Sequence, residues 1–205
     1  MPLSVVLLLG SYDPHTKSVM YALKEKIAEE FSGTNTYAYL LEELLIFNEE
    51  SHRFFVIAER WSEKRISIFI FTHAEYPLDN VEVEIGDENI EAVVRKVIRE
   101  KYNVAIRKVP IVDKLRILAQ LSVAIIVIRE KEETRGGEVA ELIYLILNNF
   151  ADKVCLFKRE NISLSSMLME FLDYMRIPIR TYNSIDELIQ GVKRYISYRM
   201  HGRKI

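Results

Sequence analysis

Apolar and polar positions fall in blocks along this chain, and the blocks at its two ends share one form. Ser4–Leu9 is an apolar run closed by Gly10-Ser11, and Val123–Ile128 is continuously apolar and β-branched. Short runs without polar alternation predict strands buried on both faces, as in a parallel sheet. After the first strand, Val19, Leu23, Ile27 and Phe31 recur every four residues. That spacing predicts a helix from Thr16, read as its N-cap, to about Phe31, where Ser32-Gly33 stops it. Thr36–Leu40 reads as a second strand and Glu42–Phe47 as a short helix. From Val123 onward the alternation is strict. Strands at Val123–Ile128, Lys153–Phe157 and Ile177–Arg180 are followed by helices at Gly137–Asn149, Ser163–Met175 and Ser184–Tyr198. Ser184 with Glu187 makes a capping box for the last helix.

The middle has another pattern. Arg53–Ala58 and Arg65–Thr72 are β-rich and read as a hairpin. Val81–Ile85 alternates apolar residues with Glu82 and Glu84, as in a half-exposed edge strand. A helix from Gly86-Asp87 to about Tyr102 and another over Val112–Leu121 complete this stretch. The expected architecture is therefore a single α/β domain over residues 1–205. It is doubly wound around a mostly parallel, Rossmann- or flavodoxin-like sheet, with a β-rich insertion at about 50–110.

Composition narrows the partners. The chain has 205 residues, 49% hydrophobic and 28% charged, with a net charge of −2. No overall field draws it to nucleic acid or an anionic membrane, so neither is expected as a partner. The basic, aromatic end from Arg194 to Lys204 reads as a solvated terminus. Val5–Leu9 is far too short to cross a bilayer. The lone Cys155 lies in an apolar strand as a small core residue, and with no signal sequence a cytoplasmic location is expected. Abundant charge with only two glutamines, Gln120 and Gln190, fits a protein from a hot environment.

Candidate chemistry concentrates after two strands. Gly10-Ser11-Tyr12-Asp13 stands at the first strand-to-loop junction, where such folds place a phosphate or ribose; it also reads as an ordinary strand-ending turn. It has neither GxGxxG nor Walker spacing. Arg135-Gly136-Gly137-Glu138-Val139-Ala140-Glu141 follows the most apolar strand. Its glycines let backbone approach a ligand, and Glu138 and Glu141 share a helix face. That face is either a ligand site or the solvated side of an amphipathic helix. His15, His52, His73 and His201 are scattered, so no metal centre is expected.

The Gly-Ser turn after an opening strand, the apolar strand, the Gly137-x-x-x-Glu141 helix and the apolar strand that follows resemble the nucleoside 2-deoxyribosyltransferase-like superfamily. TIR-like nucleotide-binding domains share this layout. The resemblance covers about the first 40 and the last 95 residues. It implies that Glu141 acts on the anomeric carbon of a ribosyl group. It also implies that Gly10, Ser11 and Asp13 border the sugar or base, and that Gly136 and Gly137 shape the wall; Glu138, on the face of Glu141, is a further expected ligand-binding residue. Those transferases commonly carry aspartates before and after the strand, where this chain has Val123 and Arg129 or Glu130. The expected ligand is a small nucleoside or nucleotide, with no cofactor, and the expected assembly is a homodimer. A non-catalytic nucleotide-sensing or assembly module is the alternative.

Overall fold

The computed structural model describes residues 4–11, 13–34, 36–41, 44–48, 53–62, 65–72, 77–84, 89–102, 107–132 and 137–202. The chain divides into two compact units, one built from Leu3–Leu40 and Leu115–Ile205, the other from Leu41–Lys114. The β-rich stretch that the sequence brackets at about 50–110 lies inside the second unit.

The first unit is a five-stranded sheet of β1 (Ser4–Gly10), β2 (Thr36–Leu40), β8 (Ser122–Arg129), β9 (Val154–Arg159) and β10 (Ile179–Tyr182). The spatial order is β10-β9-β8-β1-β2 and every pairing is parallel. Numbered within the sheet, this is the 2-1-3-4-5 order of a flavodoxin-like doubly wound fold. Helices α1 (Pro14–Glu30), α4 (Gly137–Leu147), α5 (Ser166–Tyr174) and α6 (Ile185–His201) connect or close the strands. The chain steps from β1 to β2 in one direction and from β8 to β9 in the other. Right-handed crossovers therefore put α1 and α4 on opposite faces.

Packing agrees with that placement. Val6, Leu8, Ala124, Ile126, Ile128, Cys155 and Phe157 form one core with Met20 and Leu23 of α1 and Leu188 and Val192 of α6. Alternate strand residues, including Leu7, Leu9, Ile125 and Val127, are also fully buried, and α4 packs against β1. Burial on both faces explains why these strands read as unbroken apolar runs. In α6, Gly191 admits the Phe157 ring, since a Cβ there would lie 2.8 Å from its Cε1.

Two local expectations are corrected. The first helix is capped by Asp13, not Thr16: the Asp13 carboxylate accepts from the His15 and Thr16 amides, and Pro14 occupies the first turn. Proline suits that position because its missing N–H would have no intrahelical partner. Residues Leu44–Asn48 form strand β3, not a helix. Their leucine-rich sequence has helical propensity, but pairing with both β4 (Arg53–Ser62) and β7 (Arg107–Lys108) overrides it.

The second unit is an antiparallel sheet in the order β6-β5-β4-β3-β7, with β5 at Arg65–Thr72 and β6 at Pro77–Glu84. Helix α2 (Ile90–Tyr102) closes its core through Val93, Val94 and Ile98 against Leu45, Val56, Ile68 and Ile70. β6 is an edge strand, and Glu82 and Glu84 alternate outward along it as expected. Helix α3 (Ile111–Leu121) spans the boundary between the units in sequence. Among the described residues no helix is long and apolar enough to cross a membrane.

Candidate functional site

The carboxyl ends of β1 and β8 adjoin at the point where the strand order reverses, the position at which open α/β sheets bind ligands. β1 ends at Gly10 opposite Ile128 of β8. Two buried acidic clusters flank this rim.

The first cluster faces α1. Arg129 pairs in register with Lys158, and Tyr182 with Arg159, so Glu130, Arg159 and Tyr182 fall in one row across β8, β9 and β10. Glu130 has the parity of Ile126 and Ile128, which directs it to the α1 side. Its side chain is 1% exposed. The Tyr182 hydroxyl donates to Glu130 Oε1 at 2.5 Å, and Arg159 Nε donates to Oε2 at 2.6 Å. His15 Nε2 lies 3.4 Å from the same oxygen. Burial, followed by the hydrogen bond to Glu130, pushes the Tyr182 phenol far above its ordinary range. Next to this network, Lys131 Nζ donates to Asp13 Oδ1 at 3.0 Å and the Thr16 hydroxyl donates to Oδ2 at 2.6 Å. Burial raises the Asp13 pKa, but the hydrogen bonds from Thr16 and Lys131 and the lysine charge together outweigh it. The carboxyl is held well below the usual range.

The second cluster lies on α4. Buried residues Glu138, Leu142, Leu145 and Ile146 recur at i, i+4, i+7 and i+8, so Glu138 occupies the first place in the core-facing stripe. It is 3% exposed. Glu141, one turn on, is half-buried beside it. Glu138 Oε1 and Glu141 Oε2 are both buried with no hydrogen-bond partner among the described residues. Burial, and then the neighbouring Glu138, raise the Glu141 pKa from 4.5 to about 7. Leaving buried carboxylate oxygens unmet is costly unless the group is protonated or a ligand supplies donors.

The sequence-derived site residues thus divide. Gly10 is tightly packed: a Cβ there would lie 3.0 Å from the Ile128 carbonyl oxygen and 3.2 Å from Thr16 Cγ2 and Met20 Sδ. Ser11 is half-buried at the strand end. Asp13 caps α1 and binds Lys131. Gly136 lies outside the described residues. Gly137 opens α4, and a Cβ there would meet nothing within 4 Å, so close packing does not demand glycine. Glu138 and Glu141 come together, on the opposite face from the Gly10–Asp13 turn. Sequence reasoning did not find Arg159 and Tyr182. A usable signal for Glu130 was its two-residue phase with Ile126 and Ile128.

Cys155 is fully buried, and burial pushes its thiol up to about 12, so it stays protonated at neutral pH. Among the described residues no three His, Cys, Asp or Glu side chains are grouped to hold a metal ion.

No protein-family model matches the chain, and no curated protein matches it. Among solved structures it is similar to the flavodiiron protein from Giardia intestinalis, with a TM-score of 0.44 and 12% identity. The match covers 98% of this chain and 38% of that one, so the chain spans well under half the length of that protein.

Proposed function

We propose that this chain binds a nucleoside or nucleotide at the sheet rim and cleaves or exchanges its N-glycosidic bond through Glu141. The supporting observation is the pair of buried, partnerless carboxylate oxygens on the first turns of α4. N-glycosidic cleavage builds positive charge on the anomeric carbon while the departing base takes up a proton. A carboxyl with a pKa of about 7 is present in both forms at neutral pH. Ionised, Glu141 faces the developing cation or attacks it, the base leaves with a proton taken from water, and water or an acceptor base then takes the ribosyl group and frees the carboxylate. Glu138 Oε1 accepts from a sugar hydroxyl, which meets its missing hydrogen bond.

The test is chromatographic release of free base from nucleosides, deoxynucleosides, nucleoside monophosphates and NAD. Glu141→Gln keeps the shape and removes the charge, and it lowers turnover by about 10²–10⁴-fold. The wild-type pH profile bends near 7 and that bend vanishes in the variant. Equal turnover by both proteins, or turnover by neither, removes the catalytic assignment.

A second function, as a nucleotide-responsive assembly module in the cytoplasm, draws on exposed apolar side chains. Met167 and Tyr174 of α5 stand mostly in solvent, and β6 leaves one edge of its sheet open. Light scattering that returns a monomer with and without nucleotide removes that reading and the homodimer with it.

A further inference from the structure

We infer that the α1-side rim is a phosphate-binding site in which Arg159, His15 and Lys131 receive a phosphomonoester. The charges there are layered. The Glu130 side chain is 1% exposed and that of Asp13 is 23% exposed, whereas His15, Lys131 and Arg159 are 54%, 50% and 39% exposed. Within this group the carboxylates lie inside, and the guanidinium, the ammonium and the imidazole lie nearer solvent.

Arg159 and Lys131 are each held through one nitrogen and leave donors over. Arg159 uses Nε on Glu130, and its two terminal nitrogens carry no hydrogen bond among the described residues. A guanidinium fixed in this way presents its fork to an anion. Lys131 uses one of three protons on Asp13. The two Glu130 oxygens are already met by Tyr182 and Arg159, yet His15 approaches as a further potential cation. The three side chains come from the first turn of α1, the residues after β8 and the end of β9, neighbouring positions along the rim. A planar carboxylate needs only the guanidinium fork, whereas that fork with the spare Lys131 protons and the exposed His15 ring beside it suits the several terminal oxygens of a phosphomonoester. The α1 amides of His15 and Thr16 play no part, because Asp13 already occupies them. Glu130 and Tyr182 are positioning residues.

This inference does not rest on Glu141. It is tested on the full chain in phosphate-free buffer with inorganic phosphate, adenosine 5′-monophosphate and adenosine. Thermal midpoint and the His15 imidazole NMR signals are followed, the latter assigned with His15→Gln. Inorganic phosphate and the monophosphate are expected to move the His15 signals and raise the midpoint, and the monophosphate to bind at least about tenfold tighter than adenosine. Arg159→Gln abolishes that preference. Lys131→Gln, an exposed change that leaves the fold intact, weakens it several-fold. His15 signals unmoved by both phosphate compounds, or a monophosphate preference unchanged in both variants, would overturn the site. Adenosine cleavage without any phosphate response overturns this site and leaves the Glu141 proposal standing. A phosphate response without cleavage supports this site and counts against Glu141.

Discussion

The two faces of the sheet rim bury the same chemical group and treat it in opposite ways. On the α1 face, Glu130 is surrounded by a phenol, a guanidinium and an imidazole, and both its oxygens are met. On the α4 face, Glu138 is just as inaccessible, but it stands in an apolar stripe and one oxygen meets nothing among the described residues. A buried carboxylate with matched partners fixes the relative positions of the strands that supply them. One without partners destabilises the free protein and is relieved by a ligand or a proton. The first arrangement organises the rim; the second holds carboxyl oxygens out of water with nothing among the described residues to meet them.

The sharpest separation comes from removing Glu130. Glu130→Ala leaves the Tyr182 hydroxyl buried without an acceptor and Arg159 without its anchor. Breaking a buried pair from one side costs about 3–5 kcal/mol. The half-exposed guanidinium recovers water and places this case at the lower end of that range. Urea unfolding should show a loss near 3 kcal/mol. A loss below about 1 kcal/mol would mean that the network is a surface decoration and that the two faces do not differ.

The α4 face carries the opposite sign. Glu141 is raised from 4.5 to about 7 by burial and by Glu138. A group whose folded pKa exceeds its unfolded one contributes stability that is complete below the unfolded value and is lost as pH rises through the folded one. Stability should therefore fall between about pH 4.5 and 7, by up to about 3 kcal/mol at 1.36 kcal/mol per unit. Glu141→Gln flattens that fall. Glu138→Leu completes the apolar stripe and is expected to raise stability at pH 8 by about 2 kcal/mol, while turnover declines. Denaturation curves across pH check both; a Glu138→Leu protein less stable than wild type would show that Glu138 already has a partner.

Much of the scaffold was legible because its causes are local. Val123–Ile128 and Ser4–Leu9 declare double burial by composition alone, and the Ser184–Glu187 pair marks a helix start: the Ser184 hydroxyl accepts from the Glu187 amide. β3 was misread because Leu44–Asn48 becomes a strand only through partners on either side. Glu130 fell inside a charged stretch that reads as a loop. Its burial depends on Arg159 and Tyr182, which lie 29 and 52 residues further on. No window of sequence contains that information. For α4 the signal was present but ambiguous. Glu138 fits both a solvated face with Glu141 and Tyr144 and a buried stripe with Leu142 and Leu145, and only the neighbouring sheet decides between them.

Asp13 gives the smallest effect and the finest discrimination. Its carboxylate caps α1 and binds a half-exposed lysine, so Asp13→Ala should cost about 1 kcal/mol, nearly all of it from the cap. Hydrogen bonds and the lysine charge outweigh burial and depress its pKa. Its contribution is therefore complete above the unfolded value and lost as pH falls through the folded one. The wild type should lose this increment in acid, where the Glu141 contribution is complete, and Asp13→Ala should show no such loss. The two faces then have opposite pH slopes in separate windows, readable in one set of denaturation curves. If Asp13→Ala instead costs as much as Glu130→Ala, the cap and the buried network are one cooperative unit. Lys131 then acts as the link between the β1 and β8 loops rather than as an independent surface pair.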